Sequence, residues 1–278
     1  HRGVRDRDAR GGIVDRIVVD RIVGERGTRM SVRIGVVVFP GSNRDIDAVN
    51  ALEVAGAEPV PLWHDEASLG GVAGVLLPGG FAHGDYLRAG VIARFSPVMR
   101  AVAGFADEGG LVLGICNGFQ VLTEAHLLPG ALLRNRGLRF VSREIAIAPE
   151  QLHTPFTHLL GERRALRMPV AHGEGAFYAD EATLDELESN GQVLFRYVHD
   201  DGSRAGGEDD RANPNGSLRA IAGVTNAAGN VAGLMPHPET AVEAVLGSDD
   251  GLGIIASFVA SAAEREHASA QPVVAGAR

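Results

Sequence analysis

The stretch that decides the fold is Leu111-Val112-Leu113-Gly114-Ile115-Cys116-Asn117-Gly118-Phe119-Gln120. An apolar run leads to Gly114, the only cysteine of the chain follows two residues later, and Gly118 comes two residues after that. This spacing is typical of a nucleophile elbow, a sharp turn between a buried strand and a helix, with cysteine in place of serine. The N-terminus of the following helix favours the thiolate form. The stretch therefore predicts that Cys116 is a nucleophile at the carboxyl end of a strand.

Strand and helix patterns alternate on both sides of this elbow, which predicts an α/β domain. Continuous apolar runs over 32–39, 72–77 and 111–115 are typical of parallel strands buried on both faces. Helices are expected at 43–56, capped by Asn43, and at 92–106 and 252–262. Shorter strands are predicted near 140–147, 167–171, 193–198, 218–224 and 231–235.

The two ends of the chain differ in composition from this pattern. Residues 1–29 carry eight arginines and five acidic residues, and Met30 directly precedes the first predicted strand. We expect 1–29 to be a disordered extension upstream of the natural start at Met30. The domain is predicted to span 30–265, followed by a loose tail over 266–278.

Composition argues against several classes of function. A single cysteine permits no intramolecular disulfide and no cysteine-rich zinc site. All 26 basic residues are arginine, so the chain has no lysine for a Walker A loop or a Schiff base, and ATP chemistry is expected on another chain. A net charge of −9 without a basic run in the domain argues against nucleic-acid binding. With no long apolar stretch and no signal peptide, we expect neither a membrane span nor export, and a cytoplasmic protein.

A thiolate nucleophile needs a base, and His237 in Pro236-His237-Pro238-Glu239 is the strongest candidate. In extended chain, which the flanking prolines favour, residues two apart point to the same side, so Glu239 could orient the imidazole. Backbone N–H groups of Asn117, after the nucleophile, and of Gly80, in a glycine pair after a strand, could form the oxyanion hole. Taken singly, the His-Pro-Glu segment could be an ordinary loop, and the glycine pair a plain turn.

Together, the elbow and the His-Pro-Glu segment resemble the class I, triad-type glutamine amidotransferases. Further segments resemble one group in particular, the glutaminase subunits of phosphoribosylformylglycinamidine synthase in purine biosynthesis. The most specific is the long segment 79–90, since generic amidotransferases share only its glycine pair. The other three are 39–43, 171–175 and 213–217. The resemblance covers about 31–263.

The resemblance implies a flavodoxin-like α/β domain with a mostly parallel central sheet flanked by helices. It implies a Cys116-His237-Glu239 triad that hydrolyses glutamine through a thioester, with Gly80 and Asn117 as oxyanion donors. Gln120 is a candidate for binding glutamine, although it could equally be an ordinary polar helix residue. The ammonia passes to a large synthetase subunit, which uses ATP and magnesium to convert formylglycinamide ribonucleotide to formylglycinamidine ribonucleotide. A small third subunit helps assemble the complex, and this chain binds no cofactor itself.

Three alternatives stay open from the sequence. The chain could serve another synthetase, act alone as a cysteine hydrolase on esters or peptides, or be a catalytically silent scaffold subunit. Segment 79–90 argues against the first, and the complete triad argues against the last. His172-Gly173-Glu174-Gly175 offers only two potential metal ligands, which are too few for a site. A role in shaping the glutamine site or a partner contact fits that segment better.

Overall fold

The computed structural model describes residues 31–161, 165–207 and 210–270, with the backbone alone for 269 and 270. The predicted extension 1–29 lies outside the described residues. The strands of the described chain are β1 (Arg33–Val38), β2 (Glu58–Trp63), β3 (Gly74–Leu77), β4 (Leu111–Ile115), β5 (Ala131–Leu133), β6 (Val141–Pro149), β7 (Leu166–His172), β8 (Ala176–Tyr178), β9 (Val193–Val198), β10 (Ile221–Thr225) and β11 (Val231–Leu234). The α-helices are α1 (Asp45–Val54), α2 (Pro97–Asp107), α3 (Asn117–Glu124), α4 (Glu181–Ser189) and α5 (Leu252–Ala270).

A nine-stranded sheet forms the centre of the domain, in the order β2-β1-β3-β4-β11-β10-β9-β6-β7. The first five strands in this order are parallel to one another, and the remaining four join by antiparallel pairing. The predicted α/β class, with parallel strands flanked by helices, is confirmed. In the parallel half, every residue of β3, β4 and β11 is buried, as the apolar runs predict.

Helices cover both faces of the parallel half. On one face α5 packs closely, since a Cβ on Gly74 of β3 would lie 3.0 Å from the ring of Phe258. On the other face α3 lies against β11, where a Cβ on Gly233 would lie 2.2 Å from the Phe119 ring. Because parallel strands all end at the same edge, the segments after β1, β3, β4 and β11 meet there.

The structure differs from the sequence-based expectations at several helices and strands, and β5, β8 and α4 were not predicted from the sequence. Strand β2 was not predicted because Pro59 and Pro61 cannot donate to a ladder, but β2 is an edge strand, where proline is tolerated. The predicted helix 92–106 is divided into a 3₁₀ turn, Ala93–Phe95, and α2, which begins at Pro97. The last helix continues to Ala270, into the predicted tail, and the rest of that tail lies outside the described residues.

Short elements complete the fold around the site. Strands β5 and β8 form a separate two-stranded antiparallel sheet. Asp180 is the N-cap of α4, and its carboxylate accepts from the backbone N–H of Thr183. None of the helices in the described part of the chain is long and apolar enough to cross a membrane.

Candidate active site at the carboxyl edge of the sheet

Cys116 lies at a strained turn between β4 and α3, with φ 50° and ψ −104°. A Cβ on Gly118 would lie 2.0 Å from the carbonyl oxygen of Leu77, and one on Gly114 would lie 2.8 Å from the Gly118 backbone. Both glycines are therefore required by the close approach of α3 to β3 and β4. The structure forms the elbow that the sequence predicts, with Cys116 at the N-terminus of α3.

The side chain of Cys116 is buried beside strand β7. It is 5% exposed, and its sulfur lies 3.7 Å from the carbonyl oxygen of Ala171 in β7. The last strand of the antiparallel half thus forms a wall beside the nucleophile. The N–H groups in the first turn of α3 have no acceptor within the helix, so they are free to stabilise negative charge beside the sulfur.

His237 and Glu239 are brought together just beyond β11. Nδ1 of His237 lies 2.6 Å from Oε1 of Glu239, and both side chains are almost completely buried. The pairing does not use the extended chain that the prolines suggested, because Pro238–Thr240 forms a 3₁₀ turn. The backbone N–H of His237 donates to the carbonyl of Pro169 at 2.9 Å, which fixes the turn against β7.

The charge state of His237 follows from these neighbours. Burial opposes a charged imidazole, but the carboxylate of Glu239 and the sulfur of Cys116 outweigh it and raise the pKa of His237 to about 10. Nε2 of His237 is buried and has no hydrogen-bond partner among the described residues. The sulfur of Cys116 lies close enough to the ring to contribute to that raised pKa. The arrangement favours an imidazolium beside the nucleophile.

The glycine pair after β3 faces both the imidazole and a neighbouring turn. A Cβ on Gly79 would lie 2.8 Å from Cε1 of His237, and one on Gly80 would lie 2.8 Å from Cα of Ser42. Gly80 also has a φ of 153°, which a larger residue rarely adopts. The predicted oxyanion donor at Gly80 therefore lies on a segment packed between His237 and the turn after β1.

The buried amides of Asn117 and Gln120 bond to each other on the first turn of α3. Nδ2 of Asn117 donates to Oε1 of Gln120 at 2.9 Å, and Nε2 of Gln120 donates to the carbonyl oxygen of Glu174 at 2.6 Å. Gln120 thus lies at the site, between α3 and the segment after β7. Its contact with glutamine stays a prediction.

His172 is a second buried histidine near the nucleophile, with a different set of partners. Its Nδ1 lies 3.2 Å from Oδ1 of Asn135, and its Nε2 lies 3.5 Å from Nδ2 of Asn215. Burial, with repulsion from His237, lowers the pKa of His172 to about 4, so the ring is neutral at pH 7. Among the described residues no three His, Cys, Asp or Glu side chains converge on a point that could hold a metal ion.

Asn135 and Asn215 were not identified from the sequence as site residues. Asn135 belongs to no motif, and Asn215 lies at the end of an acidic, glycine-rich stretch that resembles a solvent-exposed loop. In the structure both are buried, and both bond to Gly175: its N–H donates to Asn135 and its carbonyl accepts from Asn215. Only the segment 213–217, one of those that carry the family resemblance, gave a signal for Asn215.

Comparisons with known proteins agree with this geometry. A family model described as a CobB/CobQ-like glutamine amidotransferase domain matches residues 31–249. Two relatives, from Salinibacter ruber and Rubrobacter xylanophilus, are named phosphoribosylformylglycinamidine synthase subunit PurQ. Each is 56% identical over 231 residues, which covers 83% of this chain and 97% and 99% of the respective relative.

A solved structure is also similar to this chain. It is described as PurLQS from Thermotoga maritima and matches with a TM-score of 0.72 and 40% identity, covering 83% of this chain and 99% of that chain. The resemblance predicted from the motifs is confirmed by these matches. The chain belongs to the CobB/CobQ-like glutamine amidotransferase family.

Proposed function

We propose that this protein is the glutaminase subunit of a phosphoribosylformylglycinamidine synthase, releasing ammonia from glutamine for de novo purine biosynthesis. The observation that carries the proposal is the arrangement of Cys116 at the elbow beside His237, with His237 paired to Glu239 at 2.6 Å. Relatives at 56% identity bear the name of that synthase's PurQ subunit, which supports the choice among amidotransferases.

In the proposed reaction, the Cys116 thiolate attacks the side-chain carbonyl carbon of glutamine, and a tetrahedral oxyanion forms. Backbone N–H groups of Asn117 and Gly80 stabilise that oxyanion. His237 then transfers a proton to the amide nitrogen, the C–N bond breaks, and ammonia leaves a glutamyl thioester. His237 next takes a proton from water as the water attacks. The C–S bond breaks, glutamate is released, and the thiolate is restored.

Glu239 has a supporting role in this scheme. Its carboxylate holds the imidazole through Nδ1, so that Nε2 is the nitrogen available for proton transfer. By raising the pKa of His237 it also keeps the ring protonated in the resting state, when the sulfur is a thiolate. The ring is therefore ready to protonate the leaving nitrogen after the first attack.

The ammonia is proposed to pass to a large synthetase subunit, with a small third subunit in the complex. A structure described as PurLQS, with a chain 40% identical to this one, supports that assembly. Large apolar side chains near the site are exposed, as expected of a surface that docks a partner. They are Phe81, Tyr86, Leu87 and Phe140. We further propose that ATP and magnesium act on the large subunit and that the complex is cytoplasmic.

The proposal is tested by Cys116→Ala in the reconstituted complex, assayed with glutamine and separately with an ammonium salt. Glutamine-dependent synthesis is expected to disappear, while ammonia-dependent synthesis survives because the synthetase chemistry lies on another chain. Equal loss of both activities would indicate a structural role for Cys116. Unchanged use of glutamine would remove Cys116 as the nucleophile.

A further inference from the structure

The side chain of Asn117 forms three hydrogen bonds, more than the first residue of a helix needs to stabilise the helix N-terminus. Its Oδ1 accepts from the backbone N–H of Ala82 at 2.9 Å, and its Nδ2 donates to Asp85 at 3.2 Å and to Gln120 at 2.9 Å. Asn117 is 2% exposed, so water cannot replace these bonds. The one acceptor and both donor hydrogens of its amide are therefore used.

These bonds belong to a closed circuit that joins three separate segments. From Asn117 the circuit continues through Gln120 to the carbonyl oxygen of Glu174. The carboxylate of Glu174 accepts from the backbone N–H of Ala89 at 3.2 Å. Ala82 and Ala89 both lie in the loop 79–90, so the circuit starts and ends on that loop. It passes through α3 and through the 173–175 turn in between.

The loop 79–90 needs such external restraint because its backbone is strained. Three of its non-glycine residues, His83, Asp85 and Leu87, have φ values of 53°, 52° and 69°. Left-handed conformations of this kind persist when surrounding contacts fix them. The same loop begins with Gly80, the proposed second oxyanion donor, while the first donor is the backbone N–H of Asn117 itself. One side chain thus ties together the segments that carry the two donors.

We propose that the Asn117 side chain is a positioning residue that sets the distance between the two oxyanion donors, with Gln120 and Glu174 closing the circuit. This inference rests on the proposed glutaminase function. Gln120 uses one of its two amide hydrogens in the circuit, so it also remains able to contact glutamine. If Asn117 has this role, loss of its side chain should slow the chemical step of glutamine hydrolysis. The reactivity of Cys116 and the activity of the synthetase should not change.

The test is Asn117→Leu in the reconstituted complex, with Thr123→Val as the matched control. Thr123 is also buried on α3, but among the described residues its hydroxyl bonds only to the carbonyl of Gln120 within the helix. Asn117→Leu is expected to lower glutamine-dependent kcat by about 10- to 100-fold, since loss of one oxyanion donor costs about 100- to 1,000-fold. KM, the rate of Cys116 alkylation by iodoacetamide and ammonia-dependent synthesis should stay within about threefold of wild type, and Thr123→Val should retain kcat.

A second pair of variants keeps the inference testable if Asn117→Leu does not fold. Glu174→Gln retains an oxygen to accept from Ala89 and should keep kcat, whereas Glu174→Ala opens the circuit and should lower it. Wild-type kcat in Glu174→Ala, with Asn117→Leu either unfolded or also at wild-type kcat, would overturn the positioning role. A fall in kcat matched by an equal loss of Cys116 alkylation would overturn it too. If the wild-type complex itself failed to use glutamine, the proposed function would fall instead, so the two failures are distinguishable.

Discussion

Replacing Glu239 by glutamine is expected to remove the charge that keeps His237 protonated while leaving the local geometry in place. The two side chains meet at 2.6 Å and are almost fully buried. A glutamine oxygen can still accept from Nδ1, so the imidazole keeps its orientation. What the variant loses is the negative charge, and with it the stabilisation of the imidazolium.

The size of the effect follows from the pKa of His237. Glu239 and Cys116 together raise this pKa from 6.5 to about 10 against the opposing effect of burial. Without Glu239, the pKa of His237 is expected to fall back towards its ordinary value, because burial is then opposed by the Cys116 sulfur alone. The complete rise from 6.5 to about 10 corresponds to about 5 kcal/mol. This is an upper bound, because the Cys116 sulfur supplies part of the stabilisation and remains in the variant.

Alkylation by iodoacetamide measures the reactivity of the Cys116 sulfur directly, because Cys116 is the only cysteine of the chain. At pH 6.5 an isolated thiol reacts slowly, whereas a thiolate beside an imidazolium reacts readily. Glu239→Gln is expected to slow alkylation at this pH by at least about tenfold. This corresponds to about 1.4 kcal/mol, well below the upper bound of about 5 kcal/mol. Glutamine-dependent synthesis should fall with it. The control is Glu243→Gln, an exposed carboxylate four residues further along. Wild-type alkylation at pH 6.5 in Glu239→Gln would refute the reasoning.

Three further variants test other parts of the structure. Gly79→Ala places a Cβ 2.8 Å from Cε1 of His237, so glutamine-dependent kcat of the folded protein should fall at least about tenfold. Burial and the Glu174 charge raise the pKa of Asp85 to about 6, so its contribution to stability is lost as pH rises through that value. When the pH is raised from 4 to 7.5, the free energy of unfolding of Asp85→Asn should therefore increase relative to that of wild type by about 1–2 kcal/mol, as measured with urea. The figure allows for the partial exposure of Asp85. Arg196 is buried and lies 2.6 Å from Glu188, so Arg196→Met should cost about 2 kcal/mol in urea unfolding and leave the activity of the folded protein intact. An unchanged midpoint in Arg196→Met, or in Asp85→Asn at pH 7.5, would contradict the respective argument.

The parts of the fold that sequence predicts well are those with local physical constraints. Strands buried on both faces must be continuous apolar runs, so β1, β3 and β4 are visible in the sequence. The edge strand β2 lacks that signal because prolines alternate with its other residues. Strands β5 and β8, of three residues each, are too short to show a pattern and form only because they pair with each other.

The same distinction applies to the site. The glycines at 79, 114 and 118 are required because neighbouring atoms lie too close for a Cβ, and this makes the motifs recognisable. Asn135 and Asn215 are different, since their role depends on a fold that brings residues 80 positions apart to the same histidine. No spacing rule encodes such a contact. The side-chain bonds of Asn117 likewise depend on how the loop 79–90 folds back over α3.

The two buried histidines show why the partners of a residue decide its chemistry. His237 faces a carboxylate and a sulfur, which favour the charged ring, whereas His172 faces two asparagine amides. Asn135 donates its own hydrogens to the carbonyls of Arg139 and His172, so its oxygen faces Nδ1. The amide nitrogen of Asn215, which cannot accept a proton, faces Nε2 at 3.5 Å. These two contacts favour the neutral tautomer of His172 with its proton on Nδ1, and they offer no acceptor for a second proton on Nε2. A neutral His172 places no second positive charge beside His237, so of these two buried histidines only His237 favours the charged ring beside Cys116.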